Sequence, residues 1–370
     1  MHLSHSRLSR ASRTPRIGLG VWALIIALIS LVVLTFLPTP YVFQRPGPVY
    51  DTLGSAASSD GEQVPLIAID GAETYKTSGS LNLTTVQVVG NRERTPSWFE
   101  LAMAWMDSSR AVVPIDAVFP EGVTTEERDE NNAMLMINSQ HEATAAALEQ
   151  LDYDTGAKVR VHAALEDTPA DGLLEEDDVI VSADGEKVTS AAALRAIIQD
   201  SEGNPVELAV LRDGDEQDTV EITPELDTST GVDTWLIGIT LTTDYDFPID
   251  VAIQLDNVGG PSAGMMFALG IVDELTPGAL TGGHDIAGTG TIDATGEVGP
   301  IGGIRQKLYG ARDAGATFFL APESNCDEVV GHVPDGLQVI STGTLQESLD
   351  ALDVIAEDGD IESLPSCAAG

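Results

Sequence analysis

Histidine, cysteine and lysine are all scarce in this chain, and each scarcity closes off a class of chemistry. Six histidines are spread over 370 residues. None forms H-E-x-x-H: His141-Glu142 is followed by Ala-Thr-Ala, and His2, His5, His162, His284 and His332 make no metal-ligand spacing. No metal site is therefore expected, and no other cofactor either. No G-x-x-x-x-G-K-[ST] occurs, which excludes a nucleotide-driven motor of the P-loop kind. Cys326 and Cys367 are too few for a disulfide framework. They could pair in an oxidising compartment, but Cys367 falls in a segment that reads as a frayed tail, so no bridge is assigned.

Positive charge is scarce as well. The formal net charge is −41, with 59 Asp+Glu against 18 Lys+Arg. No acid precedes Asp51, where five arginines already stand, so 59 acids face only 13 bases beyond that point. So acidic a body repels nucleic acid and anionic lipid headgroups, and no nucleic-acid partner is expected.

The first fifty residues are different in kind. Arg7, Arg10, Arg13 and Arg16 precede "IGLGVWALIIALISLVVLTFL", Ile17 to Leu37, which carries no charge. About 20 apolar residues suffice to cross a bilayer as a helix. The arginines favour the cytoplasmic side, which places everything after Pro38 outside. A cleaved signal peptide would have a shorter apolar region followed by an A-x-A-like site, and "PTPYVFQRPGP" offers none. The expected layout is a basic cytoplasmic tail (1–16), a single transmembrane helix (17–37) and an extended, proline-stiffened neck (38–63).

Beyond the neck the pattern is α/β. Residues 64–154 alternate as strands and then take helical periodicity in "SWFELAMAWMDS" and "EERDENNAMLMINSQHEATAAALEQL". Residues 155–228 read as strand, short helix, strand, DG turn, strand, helix and hairpin. Residues 229–355 return to strands ("WLIGITL", "FPIDVAIQL", "TFFLAP") and helices ("SAGMMFALGIVDEL", "IRQKLYGARDAG", "TLQESLDALD"). Residues 356–370 read as a flexible acidic tail.

Chemistry concentrates at Ser262, in "NVGGPSAGMMFALG". Two glycines and a proline lead straight into a helix, where free amides and the positive dipole end suit an oxyanion. The Gly260 and Ser262 backbone is the expected oxyanion region. A serine nucleophile needs an adjacent base, and with histidine scarce a lysine is the substitute. Of the four lysines, Lys76, Lys158, Lys187 and Lys307, only Lys307 lies on an apolar-faced helix that could bury it. A lysine base must be neutral, and a site covered by Met265, Met266 and Phe267 could hold it so. The plain alternative is a serine that merely caps a helix.

"GGPSAG", "AGTGTIDATGEVGPIGGIRQK" and "ARDAG-TFFLAP" together resemble the Lon protease proteolytic domain, in the membrane-anchored, PDZ-bearing form that lacks the ATPase. The resemblance implies Ser262 as nucleophile, Lys307 as base and Thr289 as the hydroxyl that hydrogen-bonds the lysine. It also implies protein or peptide substrates, no nucleotide, and a homo-oligomeric ring. One departure is Gly259, where the family often has an aspartate. "DTPADG-LLEEDDVIVSADGEKV" resembles bacterial PDZ domains, with Asp177 in place of the usual glycine. Such domains grip extended peptides by strand addition, with the carboxylate expected here at Gly156, Ala157, Lys158 and Val159. The PDZ-like segment would then be an insertion within one Lon-type α/β (α+β) proteolytic domain.

The leading expectation is an ATP-independent serine endopeptidase that acts on flexible or misfolded exported proteins. The competing one is a catalytically idle scaffold whose PDZ-like domain recruits partners. A G-x-S-x-G esterase is disfavoured by Pro261 and by the want of a placed histidine.

Overall fold

The computed structural model describes residues 18–57, 61–120, 122–212, 216–228, 233–255 and 258–367. The basic tail expected over 1–16 lies outside them. In chain order, helix α1 (Leu19–Phe36) leads into strands β1 (Tyr41–Asp51), β2 (Ile67–Asp70) and β3 (Ser80–Val89). Helix α2 (Trp98–Trp105), strand β4 (Ala111–Pro114) and the long helix α3 (Thr125–Gln150) follow. The inserted segment holds β5 (Lys158–Ala164), β6 (Val179–Ala183), α4 (Ala191–Asp200), β7 (Val206–Arg212), β8 (Glu216–Ile222), β9 (Thr234–Leu236) and β10 (Ile239–Asp244). Then come β11 (Asp250–Ile253), α5 (Gly264–Leu275), β12 (Asp285–Gly288), β13 (Thr291–Ile292) and β14 (Val298–Gly299). The chain closes with α6 (Ile304–Asp313), β15 (Phe318–Pro322), β16 (Gln338–Thr342) and α7 (Leu345–Ala356).

Two compact units share this chain: residues 1–44 with 88–121, and residues 45–87 with 122–370. In the first, Tyr41–Gln44 pair antiparallel with Ala111–Pro114. Phe43, Leu101 and Ala104 form one small core there, and Val42, Ile115 and Phe119 form another. Helix α1 is 18 residues long, about 27 Å at 1.5 Å per residue. The transmembrane helix expected over 17–37 is thus shorter here, and among the described residues no helix is long and apolar enough to cross a membrane.

In the second unit, strands β16, β15, β12 and β3 pair in parallel in that order. A parallel sheet must be covered on its faces, and α3, α5 and α7 supply Met136, Ala143, Ala147, Met266, Phe267 and Leu352 to the main core. That core draws on residues from both sides of the inserted segment, which carries a separate core of its own around Val161, Ile180, Leu194 and Leu208. Alanine on the inward face of α3 lets α5 approach closely. The inserted sheet runs β8–β7–β6–β5–β10.

Three further expectations change. The "neck" is not a free spacer, since it holds the 11-residue strand β1; the pairing of β1 to β4 ends at Gln44, so Pro46 and Pro48, which lack an N–H, fall beyond that stretch. As far as Cys367 the tail is tied down: Ser341 N donates to Pro365 O at 2.9 Å, and Ile361 and Leu364 pack on the main core. Cys326 and Cys367 form a disulfide, with their Cα atoms 4.9 Å apart.

Candidate active site

The site lies at the C-terminal end of β12, where the carboxyl ends of parallel strands open toward loops. Thr289 follows β12 directly and is fixed by its own amide, which donates to Leu320 O at 3.2 Å. Ser262 sits two residues ahead of α5, whose N-cap is Ala263 with no side-chain cap. Its hydroxyl is therefore not spent on the helix, and the capping alternative falls away.

Helix α3 holds the serine loop from one side. Gly260 N donates to Asn132 O at 2.9 Å, and Ser139 Oγ donates to Pro261 O at 3.0 Å. From the other side, Gly290 N donates to Ser262 O at 3.0 Å. Gly259 explains the departure from the family pattern. A Cβ there would stand 2.8 Å from Asn132 Cβ, so an aspartate has no room beside α3. The Gly260 amide is likewise engaged, which removes it from the expected oxyanion region. Among the described residues no backbone carbonyl takes the Ser262 or Ala263 amide, and these two N–H groups are the donors left to face a developing charge.

Lys307, on α6, reaches into this loop. Its Nζ is 2.7 Å from Ser262 Oγ and 2.7 Å from Thr289 Oγ1. The side chain is 2% exposed, and no acid pairs with it among the described residues. Burial pushes the amine down to about 7, because a charge removed from water without a partner is costly. Thr289 Oγ1 in turn donates to Ser262 O at 2.8 Å. With its only proton committed there, Thr289 can only accept from the lysine. A neutral amine that gives one N–H to Thr289 is left with a lone pair that can accept the Ser262 proton.

The cleft around these atoms has a volume of about 430 Å³. Its apolar lining is Pro48, Tyr50, Met136, Val258 and Ala263, with Thr84–Gln87 of β3 along one side. The expected cover was different. Met265 and Phe267 are fully buried on α5, and Met265 Sδ accepts from Ser348 Oγ and Thr342 Oγ1 instead. Met136 of α3 takes part in the lining instead, and its signal in the sequence is the apolar face of that helix.

The expected peptide site fails on topology. Val159 lies in β5, which is paired on one side to β6 and on the other to β10, so nothing can add to it. Ala157 and Lys158 line a separate hollow of about 310 Å³ with Ile180 and Val188, and Gly156 packs against Asp246. The end strand of this sheet is β10, and α4 runs beside it. Just before it, Ile237 O accepts from Ala170 N and Gly238 O from Leu165 N. Trans peptide geometry then turns the amides of Gly238 and Ile239 to the opposite side, with Gly238 at φ +78°. The sequence did contain this signal, as the apolar-Gly-apolar run of "WLIGITL".

Two stretches of the chain match known protein families. Residues 248–354 match the Lon protease (S16) C-terminal proteolytic domain, and residues 122–223 match a PDZ domain. The PDZ match takes in α3, which packs in the main core rather than in the inserted one. Lon protease 1 of Bacillus subtilis is 36% identical over 109 residues, covering 29% of this chain and 14% of that protein. Lon protease 2 of Thermus thermophilus is 37% identical over 105 residues, covering 28% and 13%. The chain thus spans about a seventh of the length of the curated relatives it matches. A solved PDZ domain of an SdrC-like protein from Listeria monocytogenes is 28% identical and covers 24% of this chain and 90% of that one, at a TM-score of 0.21. The chain carries a Lon protease C-terminal proteolytic domain and a PDZ domain.

Proposed function

We propose that this protein is a serine endopeptidase with a Ser262–Lys307 dyad that works without a nucleotide. The observation that carries the reading is the buried, acid-free Lys307 amine at 2.7 Å from the Ser262 hydroxyl. The neutral amine takes the serine proton as Oγ bonds to the peptide carbonyl carbon. The carbonyl π-electrons move onto oxygen, beside the Ser262 and Ala263 amides. The lysine then returns the proton to the leaving nitrogen as the C–N bond breaks. A water deprotonated by the same amine then bonds to the ester carbonyl carbon, and the lysine returns the proton to Ser262 Oγ as the acyl C–O bond breaks. Thr289 holds the amine in the orientation that each proton transfer needs.

Flexible or misfolded chains are the substrates that suit a peptidase with no P-loop motor, and the β10 edge with the Gly238 and Ile239 amides suits an extended peptide tail. Membrane attachment, with the catalytic part outside the cytoplasm, is supported by the uncharged run 17–37 and the arginines before it. The exposed apolar side chains all round α1 and the Cys326–Cys367 disulfide support it too.

The test is casein-type proteolysis by the full chain. Ser262→Ala lowers kcat/KM by at least about 10³-fold, and the wild-type rate climbs as pH rises through about 7, the window of Lys307. Unchanged cleavage in Ser262→Ala, or a rate flat from about pH 6 to 10, contradicts the dyad.

A further inference from the structure

Helix α2 is amphipathic in the wrong sense for a soluble protein. Its buried residues are Leu101 and Ala104, which pack with Phe43 in the first unit's small core. The outward side carries Trp98, Phe99, Met103, Trp105 and, at the C-cap, Met106, of which Trp105 is 82% and Met106 84% exposed. At 100° per residue these five fall on one arc of about 160°. Polar groups are drawn off that arc. Glu100 closes a capping box with Ser97, its carboxylate accepting from Ser97 N at 2.8 Å, and Asp107 is tied to Arg110 at 2.9 Å and to Ser109.

Within the same unit α2 packs beside α1. That helix exposes Trp22, Leu24, Ile26, Ile29, Val32 and Val33 around its whole circumference. The apolar surface of α2 therefore continues an apolar surface that no protein core covers. We propose that α2 lies in the membrane–water interface, its Trp98–Met106 arc seated among lipid headgroups and upper acyl chains. This rests on the membrane attachment proposed above. Tryptophan, phenylalanine and methionine on one side, with the charged groups held at the helix ends by a capping box and an ion pair, are what an in-plane interfacial helix needs. Because the chain is strongly acidic, the contact is apolar rather than a matter of charge.

The test uses the full chain carrying Trp22→Phe, Trp98→Phe and Trp235→Phe, reconstituted with phosphatidylcholine vesicles, so that Trp105 is the only fluorophore of its kind. Flotation reports attachment, and Trp105 emission reports depth. The expected result is a chain that floats, with Trp105 blue-shifted, quenched by lipids brominated near the headgroup and shielded from aqueous acrylamide. A chain that floats while Trp105 stays red-emitting and open to acrylamide overturns the α2 inference alone. Shielding from both quenchers, as contact with a second copy would give, overturns it too. A chain that does not float overturns the attachment and this inference together. If the triple replacement misfolds, a fluorophore on Met106→Cys reads the same depth, since Cys326 and Cys367 are bridged.

Discussion

Lys307 and Arg212 are both bases held by hydrogen bonds in a chain of 59 acids, and they are treated in opposite ways. Arg212, in the inserted domain, is a quarter exposed and faces three carboxylates. It binds Asp178 through Nε at 2.9 Å and Nη2 at 2.7 Å, with Glu175 at 3.5 Å and Asp218 at 3.7 Å from Nη1. Burial alone would raise the Asp178 carboxyl, but the Arg212 hydrogen bonds and charge bring it below its usual value, and the guanidinium is pushed up. Lys307 has two hydroxyls for company and no acid, so burial acts on it unopposed. Arg212 shows how a carboxylate partner keeps a base charged in so acidic a sequence. A lysine becomes a candidate base where the fold keeps every carboxylate away from it.

The sharpest way to break that contrast is to fix the charge at 307. Lys307→Arg and Lys307→Met both lower kcat/KM by at least about 10³-fold, but they part on stability. The folded chain releases the Lys307 proton near pH 7, whereas an unfolded one holds it to about 10.5. Between those values the unfolded state binds more protons, so stability rises with pH. Below about 7 the burial penalty is present in full, roughly 5 kcal/mol. Lys307→Met removes both the penalty and the slope, and denaturation at pH 6 shows it more stable than wild type. Lys307→Arg, which cannot shed its proton, is the least stable of the three at pH 8.

A milder change tests the orientation of the amine. Thr289→Val removes the acceptor for one lysine N–H and the donor to Ser262 O. The expected loss is about tenfold in kcat with KM unchanged. The acid limb of the rate profile moves to lower pH, because the protonated amine loses more than the neutral one. An unchanged limb contradicts the role assigned to Thr289.

The smallest effect belongs to the other base. Arg212→Met leaves the nearly enclosed Asp178 without its partner and costs roughly 2 kcal/mol by chemical denaturation. Cleavage of a short unstructured peptide is unaffected.

What could be read from the sequence divides along the same line. Ser262, Thr289 and Lys307 sit in short motifs whose local geometry does much of the positioning, so their meeting was legible. The free edge of the inserted sheet was not. Gly156–Val159 opens a strand, but whether a strand is an edge depends on its partners, and β10 reaches β5 from about 80 residues later. The oxyanion assignment failed for a related reason, since the carbonyl that occupies Gly260 N comes from Asn132 on a distant helix. β1 was hidden by Pro46 and Pro48, and the tail by a disulfide spanning 41 residues. In each case long-range pairing, not local propensity, decided the outcome.

The most direct test is to titrate the lysines of the intact chain by carbon-13 NMR. There are only four, and the signal missing from Lys307→Met identifies the one that matters. That ε-carbon is predicted to titrate with a midpoint near 7. A Lys307 signal that does not move until about pH 10, the range of a solvated lysine, would contradict the account.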